Sequence, residues 1–269
     1  MSDPWRFTAI AHRRHLLLNP LSDAAVDRTL DSLEVGAGDR VLDVGCGPAE
    51  MLIRLIERRG VSAVGVDPNP HFIEEARRRA TVRGVMDRLE LRHREFSESE
   101  GEQFDAALCI GATHAFGGYR GTLRALARIV RPGGVIAVGH GYWMREPDRE
   151  YLAALEAIPT GREIPDVLAD PGIEATLAEI RNEMESHAAN GATVGEEGLT
   201  LLGSEVASEA DWHGYEDLYA RGIEDWVRDH PQDPDTAAMA RRIDRWREAV
   251  ARWGRNTMGF AVYRVRIGG

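Results

Sequence analysis

An apolar run, Val41-Leu42-Asp43-Val44, passes into Gly45-Cys46-Gly47-Pro48, and Glu50, Met51 and Leu52 follow at helical spacing. Glycines between a strand and a helix let bare backbone approach a ligand, and helix-terminal amides can meet its anionic groups. Roughly twenty residues past Gly47, a second apolar run, Ala63 to Val66, ends in Asp67 and Pro68. A carboxylate at that offset can accept both hydroxyls of an adenosine ribose. The pattern therefore predicts an adenosine-containing ligand. Other apolar runs also end in polar or aromatic residues. Ile110 and Gly111 are followed by His114, and Gly139 by His140, Tyr142 and Trp143. An imidazole near its ordinary pKa suits proton removal at neutral pH, which makes His114 the candidate base. Tyr142 could orient a polar group, while Trp143 could form an apolar or cation-attracting wall.

Two further groups could touch a second ligand. His12 and His15 lie three apart on an expected short N-terminal helix and share a face, with Arg13 and Arg14 between them. The spacing is compatible with metal ligation, but no Cys, Asp or second His cluster completes a site, so a contact to substrate is the expectation. Trp212 and Tyr215 closely follow an expected late strand, and Asp211 and Glu216 beside them could attract a cation. The two cysteines, Cys46 and Cys109, sit at strand ends with no Cys-x-x-Cys spacing and read as buried thiols.

The elements that must position these residues are legible from periodicity. Residues 22–34 predict a helix opening at Ser22, followed by a strand at 40–44 and a helix at 49–59 closed by Gly60. A strand at 63–66, a helix at 71–83, and strands at 89–93 and 104–110 come next. A helix at 119–130 and a turn at Arg131-Pro132-Gly133-Gly134 then lead to a strand at 135–139. Strands and helices alternating at such short intervals define a doubly wound, mostly parallel α/β sheet, with its ligand crevice at the carboxyl ends of the strands. After Trp143 the rhythm changes. A helix at 149–158 precedes order-breaking Pro159, Gly161, Pro165 and Pro171. An acidic helix is expected over 172–187, a sixth strand at 205–209, helix from 212 to 255 and an alternating last strand at 259–265. The resulting division is 1–35 as an N-terminal lid, 36–143 as the α/β core, 144–204 as a helical cap and 205–269 as the end of the sheet with a helical insertion.

Composition narrows the partners. The 269 residues are 43% hydrophobic and 29% charged, and Lys+Arg 33 against Asp+Glu 44 give a net charge of −11. A field of that sign disfavours nucleic acid and anionic membrane surfaces and favours small molecules. The N-terminus lacks a signal-peptide core, and no apolar run is long enough to cross a bilayer, so a cytoplasmic monomer or homodimer is expected.

The glycine turn alone does not select among nicotinamide, flavin and methyl-donor ligands. A dinucleotide fingerprint places a small residue three past Gly47, where this chain has Glu50. Asp43, Glu50, Asp67 and Glu95 surround the expected crevice with carboxylates, better company for a sulfonium and an ammonium than for a pyrophosphate. On these motifs the chain resembles the class I S-adenosylmethionine-dependent methyltransferases over residues 36–140. Its flanks, with Asn19-Pro20, Gly111-Ala112-Thr113 and Gly141-Tyr142-Trp143, resemble a bacterial small-molecule subgroup. The resemblance implies a seven-stranded Rossmann-like sheet with a helical lid, S-adenosyl-L-methionine as cofactor and methyl transfer to a small-molecule acceptor. It places Asp43, Gly45, Cys46 and Gly47 in the first motif and Asp67 with Pro68 at the ribose. Glu95 with Phe96 falls at the adenine, and Ile110 with Gly111 matches the fourth motif. His140, Trp143, His12, His15, Trp212 and Tyr215 are then the candidate substrate contacts, and His114 and Tyr142 the candidate catalytic residues. Non-methyl-transfer chemistry such as cyclisation, or noncatalytic cofactor sensing, are the alternatives.

Overall fold

The computed structural model describes residues 3–97 and 102–268. Its elements are, in chain order, α1 (Arg6–Ala11), α2 (Asp23–Asp31), β1 (Arg40–Val44), α3 (Glu50–Arg59) and β2 (Ser62–Asp67). Then come α4 (Pro70–Val82), β3 (Leu89–His93), β4 (Phe104–Ile110), α5 (Tyr119–Ile129) and β5 (Val130–Trp143). The later part holds α6 (Arg149–Thr160), α7 (Ile164–Leu168), α8 (Ile173–Asn182), α9 (His187–Glu196) and β6 (Thr200–Val206). Two long helices, α10 (Glu209–Asp229) and α11 (Thr236–Arg252), precede β7 (Met258–Arg266).

The seven strands form one sheet in the order β3-β2-β1-β4-β5-β7-β6. Neighbours from β3 through β5 pair in parallel, and β6 pairs antiparallel to β7. The chain starts at the centre with β1, winds out to β3 and returns on the other side with β4. The strand order therefore reverses between β1 and β4, where a crevice must open beyond the carboxyl ends.

Two compact units divide the chain. The first comprises Leu16–Gly141, Ala188–Trp212 and Phe260–Gly269. Its central strands read as near-continuous apolar runs because both faces are covered. One core joins Val26 and Leu30 of α2, Leu52 and Ile53 of α3 and Ile73 of α4 to Val41, Ala63, Leu108 and Val262 of the sheet. Leu123 and Leu126 of α5 are fully buried as well. Each such leucine contributes about 1.5–3 kcal/mol relative to an exposed one. Ser22 caps α2 by accepting the Ala25 N–H, and Gly60 ends α3 at φ 69°.

The second unit comprises Met1–His15, Tyr142–His187 and His213–Gly259, and its helices build two cores. One packs Tyr151, Leu152 and Ala157 of α6 against Val167, Leu177, Ala249 and Trp253. The other packs Phe7, Ile10 and Ala11 of α1 against Ile223 and Trp226 of α10 and Met239 and Ile243 of α11. A Cβ at Gly222 would lie 2.6 Å from the Ala11 carbonyl oxygen, so α1 and α10 approach backbone to backbone there.

Several boundaries differ from the sequence expectation. The stretch expected as helix from 212 to 255 is two helices, Glu209–Asp229 and Thr236–Arg252. The Arg131–Gly134 segment, expected as a turn, lies inside β5, and Ile267 donates to Gly134 O and accepts from the Gly133 N–H. The sixth strand is Thr200–Val206 rather than 205–209, because its register is set by pairing with β7 and not by its own alternation. The acidic helix stops at Asn182, and a separate helix begins at His187. Pro159 does not break order; it occupies the last turn of α6, which ends at Gly161 with φ 72°.

Candidate cofactor and acceptor site

The turn after β1 is tied to the end of β2. The N–H groups of Gly45 and Cys46 both donate to Val66 O, at 2.8 and 3.2 Å. Gly45 has φ +74°, and a Cβ there would stand 2.3 Å from the Ala112 Cβ; Gly47 has φ +53°, and its Cβ would meet Leu18 Cδ1 at 2.7 Å. Both positions have a left-handed backbone that favours glycine, and at Gly45 the Ala112 methyl also leaves no room for a side chain. Ala49 keeps φ +58° despite its methyl, at a cost of about 1–2 kcal/mol.

Asp67, buried at the end of β2, fastens this turn. One carboxylate oxygen accepts the Gly47 N–H at 2.9 Å and the other accepts the Asn69 N–H at 2.8 Å. Each oxygen can accept twice, so both retain capacity for a ligand hydroxyl. Burial pushes the Asp67 pKa up, while those two amides and the nearby His114 and His93 pull it down. Asp43, one strand over and 4% exposed, accepts no hydrogen bond among the described residues. Burial, aided by the charge of Asp67, pushes its carboxyl up to about 7.

A cavity with about 350 Å³ of empty space, part of it open to solvent, lies against the turn. Asp43, Gly45, Cys46, Gly47, Pro48 and Ile110 line it, together with Glu50, Met51 and the segment Leu16–Asn19. The side-chain oxygen of buried Asn19 has no partner among the described residues, and neither has the amide nitrogen of Asn69, the residue that caps α4 by accepting the His71 N–H. The orphaned Asn19 oxygen belongs to a residue that lines the cavity, where a polar ligand would satisfy it. The site thus fits an adenosyl compound with hydroxyls and an amine.

The sequence placed four carboxylates around the crevice, and the structure alters two of them. Glu50 is buried and pairs with Arg54 at 2.8 Å and Arg83 at 2.9 Å, so its charge is compensated within the α3–α4 layer. Glu95 is exposed. Phe96 beside it packs its ring against Phe116, with centroids 5.2 Å apart. Pro68 is half-buried, and its carbonyl oxygen lies 3.1 Å from His93 Nε2. Gly111 is exposed and donates to Gly139 O, pinning the end of β4 to β5. Cys46 and Cys109 are buried, and desolvation pushes both thiols up, away from reactivity.

His114 stands exposed on a 3-10 turn, Thr113–Phe116, that follows β4. His140 is buried past the middle of β5. Its Nδ1 lies 2.9 Å from Thr113 Oγ1, and its ring stacks on Tyr119 at 5.4 Å. Tyr119, the first residue of α5, has a buried hydroxyl with no partner among the described residues. Thr113, Tyr119, Leu16–Leu18 and Asn19 were not singled out as site residues from sequence. The signal available was position: Thr113 follows the strand-four glycine, and Tyr119 starts the next helix.

In the helical unit, His12, His15 and Tyr215 do come together. His12 Nε2 lies 3.0 Å from the Tyr215 hydroxyl and His15 Nε2 lies 3.0 Å from its carbonyl oxygen, with the two imidazoles 5.0 Å apart. His12 caps the end of α1 instead of lying within it. Burial pushes its pKa down to about 4 and that of His15 down as well. Tyr142 packs near His187 at 5.1 Å and fills the space a Cβ at Gly259 would need. Trp143 donates its indole N–H to Arg181 O at 2.8 Å and packs in the α6–α8 core. Trp212 lies in the α/β unit, half-buried against the core of α2 and α3.

Comparison with known proteins matches this geometry. A methyltransferase-domain family model covers residues 42–136. The chain is 25% identical to the uncharacterised protein YjhP of Escherichia coli over 96% of both chains. It is 29% identical to a 27-O-demethylrifamycin SV methyltransferase of Amycolatopsis mediterranei over 60% of both, less than two thirds of that relative. Two solved S-adenosyl-L-methionine-dependent methyltransferases, each in complex with S-adenosyl-L-homocysteine, share the fold at 26% identity. The one from Geobacter sulfurreducens gives a TM-score of 0.83 over 98% of this chain and 99% of that one. The one from Thiobacillus denitrificans gives 0.80 over 97% of both. The seven-stranded sheet, with a glycine turn at its switch point, is the Rossmann-like methyltransferase fold of these two neighbours. This chain is a class I S-adenosylmethionine-dependent methyltransferase.

Proposed function

We propose that the protein moves the sulfonium methyl group of S-adenosylmethionine to a small-molecule acceptor in the cytoplasm, with Asp67 at the ribose and Gly45 and Gly47 beside the amino-acid moiety. The observation that carries this reading is the buried Asp67 carboxylate, which accepts the amide N–H of Gly47, a residue that lines the cavity, and retains lone pairs for further donors. The net charge of −11 favours a cationic cofactor and weighs against polyanionic acceptors. The cofactor, when bound, supplies a methyl group on positively charged sulfur. The residues of the chain then hold the acceptor in line, exclude water and take any proton its nucleophile carries. His114 is exposed just past β4 and serves as that proton acceptor. Thr113 fixes the imidazole of His140 on the same end of the sheet, where it orients the acceptor's polar group.

Incubation with isotopically labelled S-adenosylmethionine and a panel of hydroxylated, amino and thiol metabolites, read by mass spectrometry, tests the transfer. A labelled methyl group on at least one small acceptor is expected; cofactor binding without product from any of them would favour sensing. Asp67→Ala is expected to weaken S-adenosylhomocysteine binding by about 1–3 kcal/mol in calorimetry. Wild-type affinity in that variant would remove Asp67 from the site.

A further inference from the structure

The helical unit holds two hydrogen-bond donors, one of them on a cation, that no acceptor answers. Arg242 and Trp246 stand four residues apart on α11, so their side chains share a face. The Arg242 Nε and the Trp246 indole nitrogen are both buried, and neither has a hydrogen-bond partner among the described residues. Tyr219 of α10 joins them. Its ring lies 5.5 Å from that of Trp246, and its hydroxyl acts electrostatically on the guanidinium. Phe7 of α1 meets the guanidinium as well, with its ring centroid 3.5 Å from the Arg242 Cζ.

The lack of a carboxylate sets Arg242 apart. Four arginines of this unit are half-buried: Arg6, Arg162, Arg242 and Arg245. Arg6 pairs with Asp233 and Asp235, Arg162 with Asp170, and Arg245 with Glu163. Arg242 alone of the four has no acidic partner among the described residues, in a chain where Asp+Glu 44 outnumber Lys+Arg 33. The Phe7 ring attracts the charge but offers no lone pair to the N–H groups in the guanidinium plane. Burying such a group has a desolvation cost, which an anion lying in that plane would remove.

We propose that Arg242, Trp246 and Tyr219 form a carboxylate-binding site in the helical unit, and that its ligand is a small aromatic acid. The site is built by helices of one unit and does not depend on the adenosyl-binding reading given above. Its donors select the ligand. One full positive charge, an indole N–H and a phenol O–H suit a planar monoanion with two acceptor oxygens. A phosphate dianion would need a second cation, and the nearby imidazole of His12 does not supply one. That ring meets Tyr219 edge-on at 5.2 Å, and burial pushes its pKa down to about 4, so it is neutral at neutral pH. The rings of Phe7, Tyr219 and Trp246 give flat apolar walls, which favour an aromatic body behind the carboxylate. Arg242, Trp246 and Tyr219 are each half-buried, so a ligand can reach them from solvent. The net charge of −11 opposes an approaching anion, but it is screened beyond about 8 Å at physiological salt, whereas the three donors act in contact.

Proton–nitrogen NMR of the labelled full chain, with benzoate as the probe, is the test, because each of the six tryptophans gives its own indole N–H signal. Trp246→Phe keeps an aromatic ring at the position and identifies the signal by its loss. In the wild-type chain that signal is expected to move and saturate with benzoate, and to stay in place with the same concentration of benzamide or of inorganic phosphate. Arg242→Gln is expected to weaken benzoate binding about tenfold or more, as loss of a charge-assisted pair requires. Arg242→Lys keeps the charge without the fork and is expected to fall between the two.

A Trp246 signal that benzoate leaves unmoved would overturn the proposal. Equal movement with benzamide would do so by removing the role of the charge, and equal movement with phosphate by removing the preference for a carboxylate. Wild-type affinity in a folded Arg242→Gln variant would overturn it too. Should that variant not fold, the comparison of benzoate with benzamide on the wild-type chain decides by itself.

Discussion

Gly45 shows how much of the site rests on a missing atom. Its φ of +74° and the 2.3 Å that would separate a Cβ from the Ala112 methyl are independent obstacles to any side chain. Gly45→Ala is expected to lose about 2–3 kcal/mol of stability, measured by urea denaturation. Adding Ala112→Gly should recover the steric part and leave the backbone strain; no recovery would show that the contact is unimportant. The glycines, Asp43 and Asp67 were readable because spacing in the chain translates directly into position at a strand end. What the sequence could not show is the second duty of Asp67, as acceptor of the Gly47 and Asn69 amides. Nor could it show that Glu50 is compensated, since Arg83 reaches it from 33 residues away.

At the level of elements, periodicity carried the reading as far as local rules decide the outcome. Strands β1, β3 and β4 lie where alternation and apolar runs put them. β6 was misplaced because an edge strand takes its register from its partner, and the exposed Leu201 and Leu202 carry no alternation. The meeting of α1 with α10 was legible only as shared candidate residues, His12, His15 and Tyr215, since some 200 positions separate them. That meeting has a pH signature. Burial holds the His12 pKa at about 4, below its ordinary 6.5, so between those values the unfolded chain binds the extra proton. Stability from this group is therefore full above pH 6.5 and is lost as pH falls towards 4. Denaturant unfolding should show wild type losing about 2–3 kcal/mol more than His12→Gln over that interval. Equal losses would mean that His12 is not the group responsible.

Across the whole molecule, acidic composition and a sheet that begins at its centre together explain why a cationic adenosyl compound suits this chain. Length and composition did little more than disfavour polyanionic partners, whereas strand order located the crevice. The two borders of the sheet differ in kind. β3 presents Glu90 and Arg92, which pair with each other and with Arg40 and Glu102, while β6 presents Leu201, Leu202 and Val206 to solvent. Charged borders repel intruding strands, but a greasy one with open amides invites them. In concentrated preparations, clumping should therefore start from the Thr200–Val206 side. Leu202→Lys is expected to raise the protein concentration at which light scattering first appears, with unchanged thermal stability, whereas an unaltered threshold would trace stickiness elsewhere.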